Sequence, residues 1–189
     1  MTEVRSLAIA GAAVAELDEH PDDRGSLTEL YRRAWFPGSP EMVQANLSVS
    51  RAGVLRGLHF HRRQTDYWVL LEGTAFVGLF DLRRGSPSEG RPDHLRLDGS
   101  LGPRGLLIPP GVAHGFYAET PIRLGYLVDL AFDGSDEHGV AWDDPGLGIP
   151  WPSTTPILSE RDRSNGSLTE ALADPPAVGP MPPEASHLG

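Results

Sequence analysis

The chain has 189 residues and a formal net charge of −10, and it contains 22 glycines and 18 prolines. Its acidic surface disfavours nucleic-acid binding, because phosphates would repel it. The sequence contains no cysteine, and all 16 of its basic residues are arginines. Disulfides, thiolate metal ligands, cysteine nucleophiles and lysine Schiff bases are therefore excluded.

The length and the apolar pattern indicate one domain, residues 1–173, followed by a proline-rich tail, residues 174–189, that we expect to be disordered. No apolar run reaches the roughly 18 residues that span a bilayer. The apolar stretch from Leu7 to Val14 is predicted to be a strand and not a signal peptide. These features predict a cytoplasmic protein without a membrane partner.

Short β-rich segments divided by Gly, Pro and Asp follow one another from Met42 to Asp129. In the stretch from Thr74 to Phe80, large apolar side chains alternate with smaller ones, as in a strand. Such spacing predicts an all-β fold, an antiparallel sandwich or barrel. The predicted strands are Met42–Ser50, Val54–His61, Tyr67–Leu71, Thr74–Asp81, His94–Leu97, Leu106–Ile108, His114–Ala118 and Ile122–Leu130.

Helix signals are few, so we expect only short peripheral helices. One predicted helix runs from Leu27 to Trp35, with Ser26 as its cap and Glu29 three residues later. A second runs from Ser167 to Ala173, with Ser167 and Glu170 in the same capping pattern.

Three histidines are predicted to point into the barrel. His59 and His61 lie two apart on one strand and share a face. His114 follows a Pro-Gly turn and opens another strand. Arg56 faces the opposite way in a regular strand, although Gly57 permits a bulge that would re-aim it. Buried imidazoles are costly unless they are paired, solvated or liganded, so these histidines indicate a functional site.

One chemistry that fits these residues is metal binding. The spacing Gly53-x5-His59-x-His61-x4-Asp66-x6-Gly73 and the segment Pro109-x-Gly111-x2-His114 match the two metal motifs of cupins, with Asp in place of the usual Glu. Three imidazoles and one carboxylate, from His59, His61, Asp66 and His114, suit a transition metal.

The other chemistry is proton transfer at a carbon next to a carbonyl group. Histidine titrates near neutrality and can act as the base, and Tyr126 on a predicted strand is a candidate acid. Gln44 and Asn46 share one strand face that otherwise points inward, which favours ligand contact. Arg24, Arg51 and Arg56 can pair with a diphosphate.

These residues stand in an order that resembles the dTDP-4-dehydrorhamnose 3,5-epimerase family, over about residues 22–163. The resemblance is carried by Asp23-Arg24-Gly25, Gln44-x-Asn46-x-Ser48-x-Ser50, Val54-Leu55-Arg56-Gly57-Leu58-His59-Phe60, Asp81-Leu82-Arg83-x2-Ser86-Pro87, Ile108-Pro109-x-Gly111-x-Ala113-His114-Gly115-Phe116, Trp142-x-Asp144, Gly148-Ile149-x-Trp151-Pro152 and Leu158-Ser159-x2-Asp162.

The resemblance implies a homodimeric cupin-type jelly-roll barrel that acts on a dTDP-linked 4-keto-6-deoxy sugar, at C3, C5 or both, without a metal or other cofactor. It implies that His59 is the base, Asp162 the carboxylate that orients it, Tyr126 the acid and His114 a second active-site histidine. The implied substrate contacts are Arg24, Glu29, Gln44, Asn46 and Arg56, together with His61, which replaces a glutamine of the family.

Two departures from the family pattern leave other functions open. The family's active-site lysine falls at about Asp66, so an anion replaces a cation expected to hold the enolate oxygen. The pattern Arg56-Gly57-x-His59-x-His61 also resembles the dTDP-sugar 3,4-ketoisomerases. The alternatives are therefore a 3,4-ketoisomerase, a metal-dependent cupin enzyme and a non-catalytic homologue that binds a sugar nucleotide.

Overall fold

The computed structural model describes residues 2–132 and 134–179. Two antiparallel sheets face each other, and a separate hairpin lies beside them. In spatial order, the strands of the six-stranded sheet are β1 (Glu3–Ser6), β2 (Ala13–Glu16), β10 (Arg104–Ile108), β7 (Asp66–Glu72), β12 (Ile122–Val128) and β5 (Gln44–Ser50). Those of the five-stranded sheet are β13 (His138–Gly139), β6 (Leu55–Phe60), β11 (Val112–Ala118), β8 (Thr74–Asp81) and β9 (Pro92–Asp98). The hairpin consists of β3 (Glu19–Asp22) and β4 (Gly25–Thr28).

This arrangement confirms the predicted all-β, jelly-roll class. Within the described ranges no strand pair joins the two sheets, so they do not close into one hydrogen-bonded barrel. Side chains hold them together instead: Leu70 and Leu124 of one sheet and Val77 and Phe116 of the other are buried in the same core cluster. Trp68 packs edge-on against Phe116 at this contact, with ring centroids 5.9 Å apart.

The eight strands predicted from Met42 onward are confirmed as β5 to β12, each to within two residues at either end. The strand predicted from Leu7 to Val14 is wrong, because β1 ends before it and β2 begins only at Ala13. The chain turns in between, where the Leu7 amide donates to the Ala12 carbonyl at 2.9 Å. Gly11 supplies the positive φ of 80° that this turn uses.

The described residues form two short α-helices, α1 (Glu160–Arg163) and α2 (Leu168–Ala173), and three 3₁₀ turns, at Arg33–Trp35, Gly134–Asp136 and Pro145–Leu147. The structure confirms the second predicted helix as α2, including the reciprocal capping bonds of Ser167 and Glu170.

The helix predicted from Leu27 to Trp35 is wrong. Leu27 pairs with His20 across the β3–β4 hairpin, and only the 3₁₀ turn remains of the predicted element. The backbone groups that would have paired within a helix pair across the hairpin instead.

Part of the predicted tail contacts the segment that follows β8. Pro176 is buried, and its carbonyl accepts a hydrogen bond of 3.2 Å from the Arg84 amide. Residues 180–189 of the tail lie outside the described residues. None of the described helices has the length and apolar character needed to cross a membrane. The cytoplasmic location stays a prediction.

A buried ion pair fastens the β1–β2 turn to the five-stranded sheet. Arg83 forms a two-pronged pair with Asp81, at 2.8 and 2.7 Å, and also donates to the Ala10 carbonyl at 2.7 Å. Burial favours the protonated carboxyl, but hydrogen bonds from Arg83, Ser86 and Ser88 outweigh it and hold the pKa of Asp81 below its usual value. Both charges therefore stay ionised while almost fully buried.

We expect Arg83→Met to lower the free energy of unfolding by about 3–5 kcal/mol, because it leaves the Asp81 carboxylate buried without its partner. The matched control is Arg96→Met, which removes an exposed pair with Glu119 and should cost at most about 1 kcal/mol. Urea denaturation of both variants measures the difference. Similar small losses would contradict the role given to the Arg83–Asp81 pair.

Candidate active site

A cavity of about 600 Å³ lies between the two sheets, and its size is typical of small-ligand sites. Most of the candidate residues from the sequence, including Asp66 of the alternative metal set, line it: Gln44, Asn46, Arg56, His59, His61, Asp66, His114, Tyr126 and Asp162. Trp68, Phe116 and Leu124 also line it, so the apolar core supplies part of its wall.

His59 on β6 forms a close pair with Asp162 of α1. The His59 Nε2 and Asp162 Oδ1 atoms are 2.6 Å apart. The Ser159 hydroxyl donates to the other carboxylate oxygen at 2.8 Å and also caps α1 by accepting from the Asp162 amide. Because a carboxylate only accepts hydrogen bonds, Nε2 carries the proton and Nδ1 is left to accept one.

The Asp162 carboxylate is kept charged. Burial alone would raise its pKa, but hydrogen bonds from His59 and Ser159 and the charge of His59 lower it below the usual value. The side chain is only 4% exposed, so water screens its charge weakly. An ionised Asp162 can therefore orient the His59 ring and stabilise it when it becomes an imidazolium.

Two glycines permit the strand contact that places His59. A Cβ on Gly57, whose φ is 125°, would lie 2.7 Å from the Cα of Gly115 on β11, so the two strands approach too closely for a side chain there. The register of the pair shifts between His114 and Phe116. Arg56 and His59 both line the cavity, although a regular strand would put them on opposite faces.

Tyr126 enters the cavity from the other sheet. It lies on β12 opposite Asn46 of β5 and Trp68 of β7. Burial raises the pKa of its phenol, and the nearby charges of Asp66 and Glu137 raise it further. The phenol is thus held in its protonated form, which can donate a proton.

His61, Asp66 and His114 come together in the cavity, with Asp66 on β7 of the six-stranded sheet and His114 on β11 of the five-stranded sheet, and we call them the His-Asp-His group. Their ligand atoms lie within 4.8 Å of one another, and within the described ranges these residues form the group that could hold a metal ion. Burial lowers the pKa of His114 to about 4, so its ring is neutral. His59 is not part of the group, in contrast to the four-residue metal set considered from the sequence, because its Nε2 is bonded to Asp162.

A row of polar side chains follows β5 into the cavity. Gln44, Asn46 and Ser48 alternate with exposed residues along the strand, and the Gln44 amide donates to the Asn46 side chain at 3.0 Å. These groups can donate and accept hydrogen bonds along one side of a ligand.

Two predicted substrate contacts lie elsewhere. Arg24 sits in the turn of the β3–β4 hairpin and pairs with Asp22 at 2.5 Å. Glu29 follows the hairpin and pairs with Arg32. Both are exposed, and neither lines the cavity of its own chain.

Several cavity residues were missed from the sequence. Arg161 lines the cavity and pairs with Glu137 at 2.5 Å. Gln64 and Trp68 donate to the two oxygens of Asp66, at 2.7 and 3.1 Å. The sequence could have indicated Gln64 and Trp68, because each lies two residues from Asp66 and residues two apart share a strand face.

Comparison with known proteins identifies the family. The sequence profile described as dTDP-4-dehydrorhamnose 3,5-epimerase matches residues 6–170. The chain belongs to this family.

Individual relatives agree with the profile. A dTDP-4-dehydrorhamnose 3,5-epimerase of Streptomyces griseus is 38% identical over 176 residues, which cover 88% of this chain and 87% of that protein. The crystal structure of NovW, a 4-keto-6-deoxy sugar epimerase from Streptomyces spheroides, superposes with a TM-score of 0.85 at 36% identity and covers 94% of each chain. That of ChmJ, a 3'-monoepimerase from Streptomyces bikiniensis in complex with dTDP-quinovose, gives 0.84 at 32% identity and covers 92% of each chain. The predictions of the family, of its cupin-like fold and of an isomerase are confirmed.

The bond to Asp162 predicts the tautomer of His59. We expect the ¹⁵N shifts of the neutral ring to show Nε2 protonated, and we expect Asp162→Asn to give a mixture of tautomers, since an amide can accept or donate. Glu160→Gln is the matched control, because it removes an exposed carboxylate from the same helix. An Nδ1-protonated ring in the unmodified protein would contradict the assignment.

Proposed function

We propose that this chain epimerises a dTDP-linked 4-keto-6-deoxy sugar by transferring protons at a carbon next to the ketone. One observation carries the proposal: His59, paired with Asp162, and Tyr126 face the same cavity from opposite sheets. A sugar ring held between the sheets would meet a base on one face and an acid on the other. Removal of the proton from one face and its return from the other inverts the carbon.

The chemistry follows from the protonation states. Nδ1 of His59 accepts the proton of the carbon beside the ketone, and Asp162 stabilises the imidazolium that forms. The electron pair of the broken C–H bond moves onto the ketone oxygen and gives an enolate. Tyr126 then protonates the carbon from the other face, and its raised pKa keeps the phenol ready for this step.

The nucleotide would be held by the polar part of the cavity. Gln44 and Asn46 offer amides along β5, and Arg56, which is fixed by a 3.0 Å bond to Ser50, offers a guanidinium for the diphosphate. His61 and His114, which line the same cavity as Tyr126, would contact the sugar. These roles rest on side-chain chemistry and on the family resemblance.

For the catalytic pair, we expect His59→Ala to lower turnover at least about 100-fold, the usual scale for a lost general base. We expect Tyr126→Phe to keep deuterium exchange at C3 and to lose inversion. Proton NMR of dTDP-4-keto-6-deoxyglucose with the protein in deuterated water reads both.

His94→Ala is the control for these variants, because His94 lies outside the cavity, stacked on Phe76. Its turnover should equal that of the unmodified protein. Unchanged turnover in His59→Ala would exclude His59 as the base. Migration of the ketone to C3 would select a 3,4-ketoisomerase, and the carbon that gains deuterium separates a 3-epimerase from a 3,5-epimerase.

The proposal includes a homodimer. β5 is an edge strand whose polar side faces the cavity and whose apolar side faces outward: Leu47 and Val49 are 51% and 59% exposed. On β7, two strands away in the same sheet, Leu71 is exposed as well. An apolar outer face on an edge strand favours burial against a second copy. Arg24 and Glu29, which lie outside their own cavity, could contact substrate only from such a second protomer.

We expect light scattering after gel filtration to give twice the chain mass, and Leu47→Glu to give the mass of one chain, because a carboxylate would be buried at the interface. The control is Leu101→Glu, since Leu101 is 82% exposed in the turn between β9 and β10. A dimer that survives Leu47→Glu would place the interface elsewhere.

A further inference from the structure

The His-Asp-His group brings three electron-pair donors together across the cavity, from both sheets. His61 Nε2 lies 4.0 Å from one oxygen of Asp66, and His114 Nε2 lies 3.7 Å from the other. The His114 and Asp66 side chains are almost fully buried, and the His61 side chain is 12% exposed. The group therefore sits where water can do little to screen it.

The hydrogen bonds around the group determine which atoms face inward. His61 Nδ1 is 2.8 Å from the Asp136 carbonyl, and His114 Nδ1 is 2.9 Å from the Val112 carbonyl. Carbonyl oxygens only accept, so both Nδ1 atoms carry hydrogen. In the neutral rings, both Nε2 atoms therefore present lone pairs to the Asp66 carboxylate.

The separations favour a cation larger than a proton. Hydrogen bonds between these atom types are about 2.7–3.2 Å long, shorter than the 3.7 and 4.0 Å found here. A metal ion bound tetrahedrally at about 2.1 Å from each atom sets its ligands about 3.4 Å apart. The two His–Asp separations exceed this by about 0.3 and 0.6 Å, and the widest separation in the group, at most 4.8 Å, would close by up to about 1.4 Å.

The surroundings are those of a preformed metal site. Metal-binding histidines commonly donate their second ring nitrogen to a backbone carbonyl, and ligating carboxylates are themselves hydrogen-bonded. Both histidines do so here, and Gln64 and Trp68 each hold one oxygen of Asp66. Two imidazoles and one carboxylate suit Zn²⁺, Fe²⁺, Co²⁺ or Ni²⁺.

We propose that His61, Asp66 and His114 bind one divalent first-row transition-metal ion, with its remaining coordination positions open to the cavity. In the reaction, and resting on the proposed function, the ion would bind the ketone oxygen of the sugar. It would neutralise the charge that this oxygen gains when His59 removes the proton, and no oxidation or reduction is involved.

Without an ion, the same oxygen would become negative beside the Asp66 carboxylate. Of the two arginines that line the cavity, Arg161 is already paired with Glu137. A divalent ion would turn the local charge of the Asp66 site from −1 to +1. A local positive charge would stabilise an enolate, whereas the Asp66 carboxylate without an ion would destabilise it.

The test uses the full chain without a histidine tag, stripped with a chelator and titrated with Zn²⁺ by calorimetry and with Co²⁺ by visible absorption. We expect one ion per chain and a Co²⁺ spectrum of nitrogen and oxygen ligation. His61→Gln and Asp66→Asn should each weaken binding at least about 100-fold, because each alters a ligand and loss of a mere supporting partner already costs about 10–100-fold. His94→Ala, the control, should bind as the unmodified protein does.

Circular dichroism and thermal melting of each variant separate lost binding from lost folding. Of the two variants, His61→Gln is the one less prone to misfold, because His61 is the more exposed residue. Binding weaker than about 1 mM, or binding that both substitutions leave unchanged, would overturn the site. Deuterium exchange into substrate at equal rates with and without the ion would overturn its role in the reaction. Tight binding with no exchange in either form would count against the proposed epimerase and leave the metal site standing.

Discussion

The hydrogen bond between His59 and Asp162 determines what the rest of the cavity can do. It joins residues 103 positions apart and attaches α1 to the five-stranded sheet. By occupying Nε2 it leaves Nδ1 as the basic nitrogen of the ring. The same bond sets His59 apart from His61 and His114, so one histidine is paired with Asp162 and the other two belong to the His-Asp-His group.

The two sheets enclose a gap whose two walls carry different side chains. His59 comes from one sheet and Tyr126 from the other, and side-chain packing alone spans the space between them. β5 follows from the same geometry: its polar residues line the cavity, so its apolar residues must face outward. An edge strand with this reversed pattern links the interior site to the outer surface where we place the partner protomer.

Two buried aspartates, Asp81 and Asp66, differ in the groups that surround their charge. Asp81 is matched by Arg83 and two serine hydroxyls, which makes it part of the scaffold. Asp66 receives hydrogen bonds from the neutral groups of Gln64 and Trp68, while two imidazoles face it at distances too long for hydrogen bonds. A buried carboxylate held in this way is suited to bind a cation. The pair Asp81–Arg83 therefore serves stability, and Asp66 serves the site.

The sequence by itself determined the strands from β5 to β12 and the helix α2, because alternation, turn glycines and capping bonds act between residues close in the chain. It also identified nine of the side chains that line the cavity. The hairpin pairing of Leu27 with His20, which replaced a predicted helix, depended on a partner that no local pattern reveals. Only the tertiary structure decided that His59 binds Asp162, that Asp66 lies between His61 and His114, and that Arg24 and Glu29 remain outside their own cavity. These outcomes depend on distances across two sheets, which spacing along the chain does not fix.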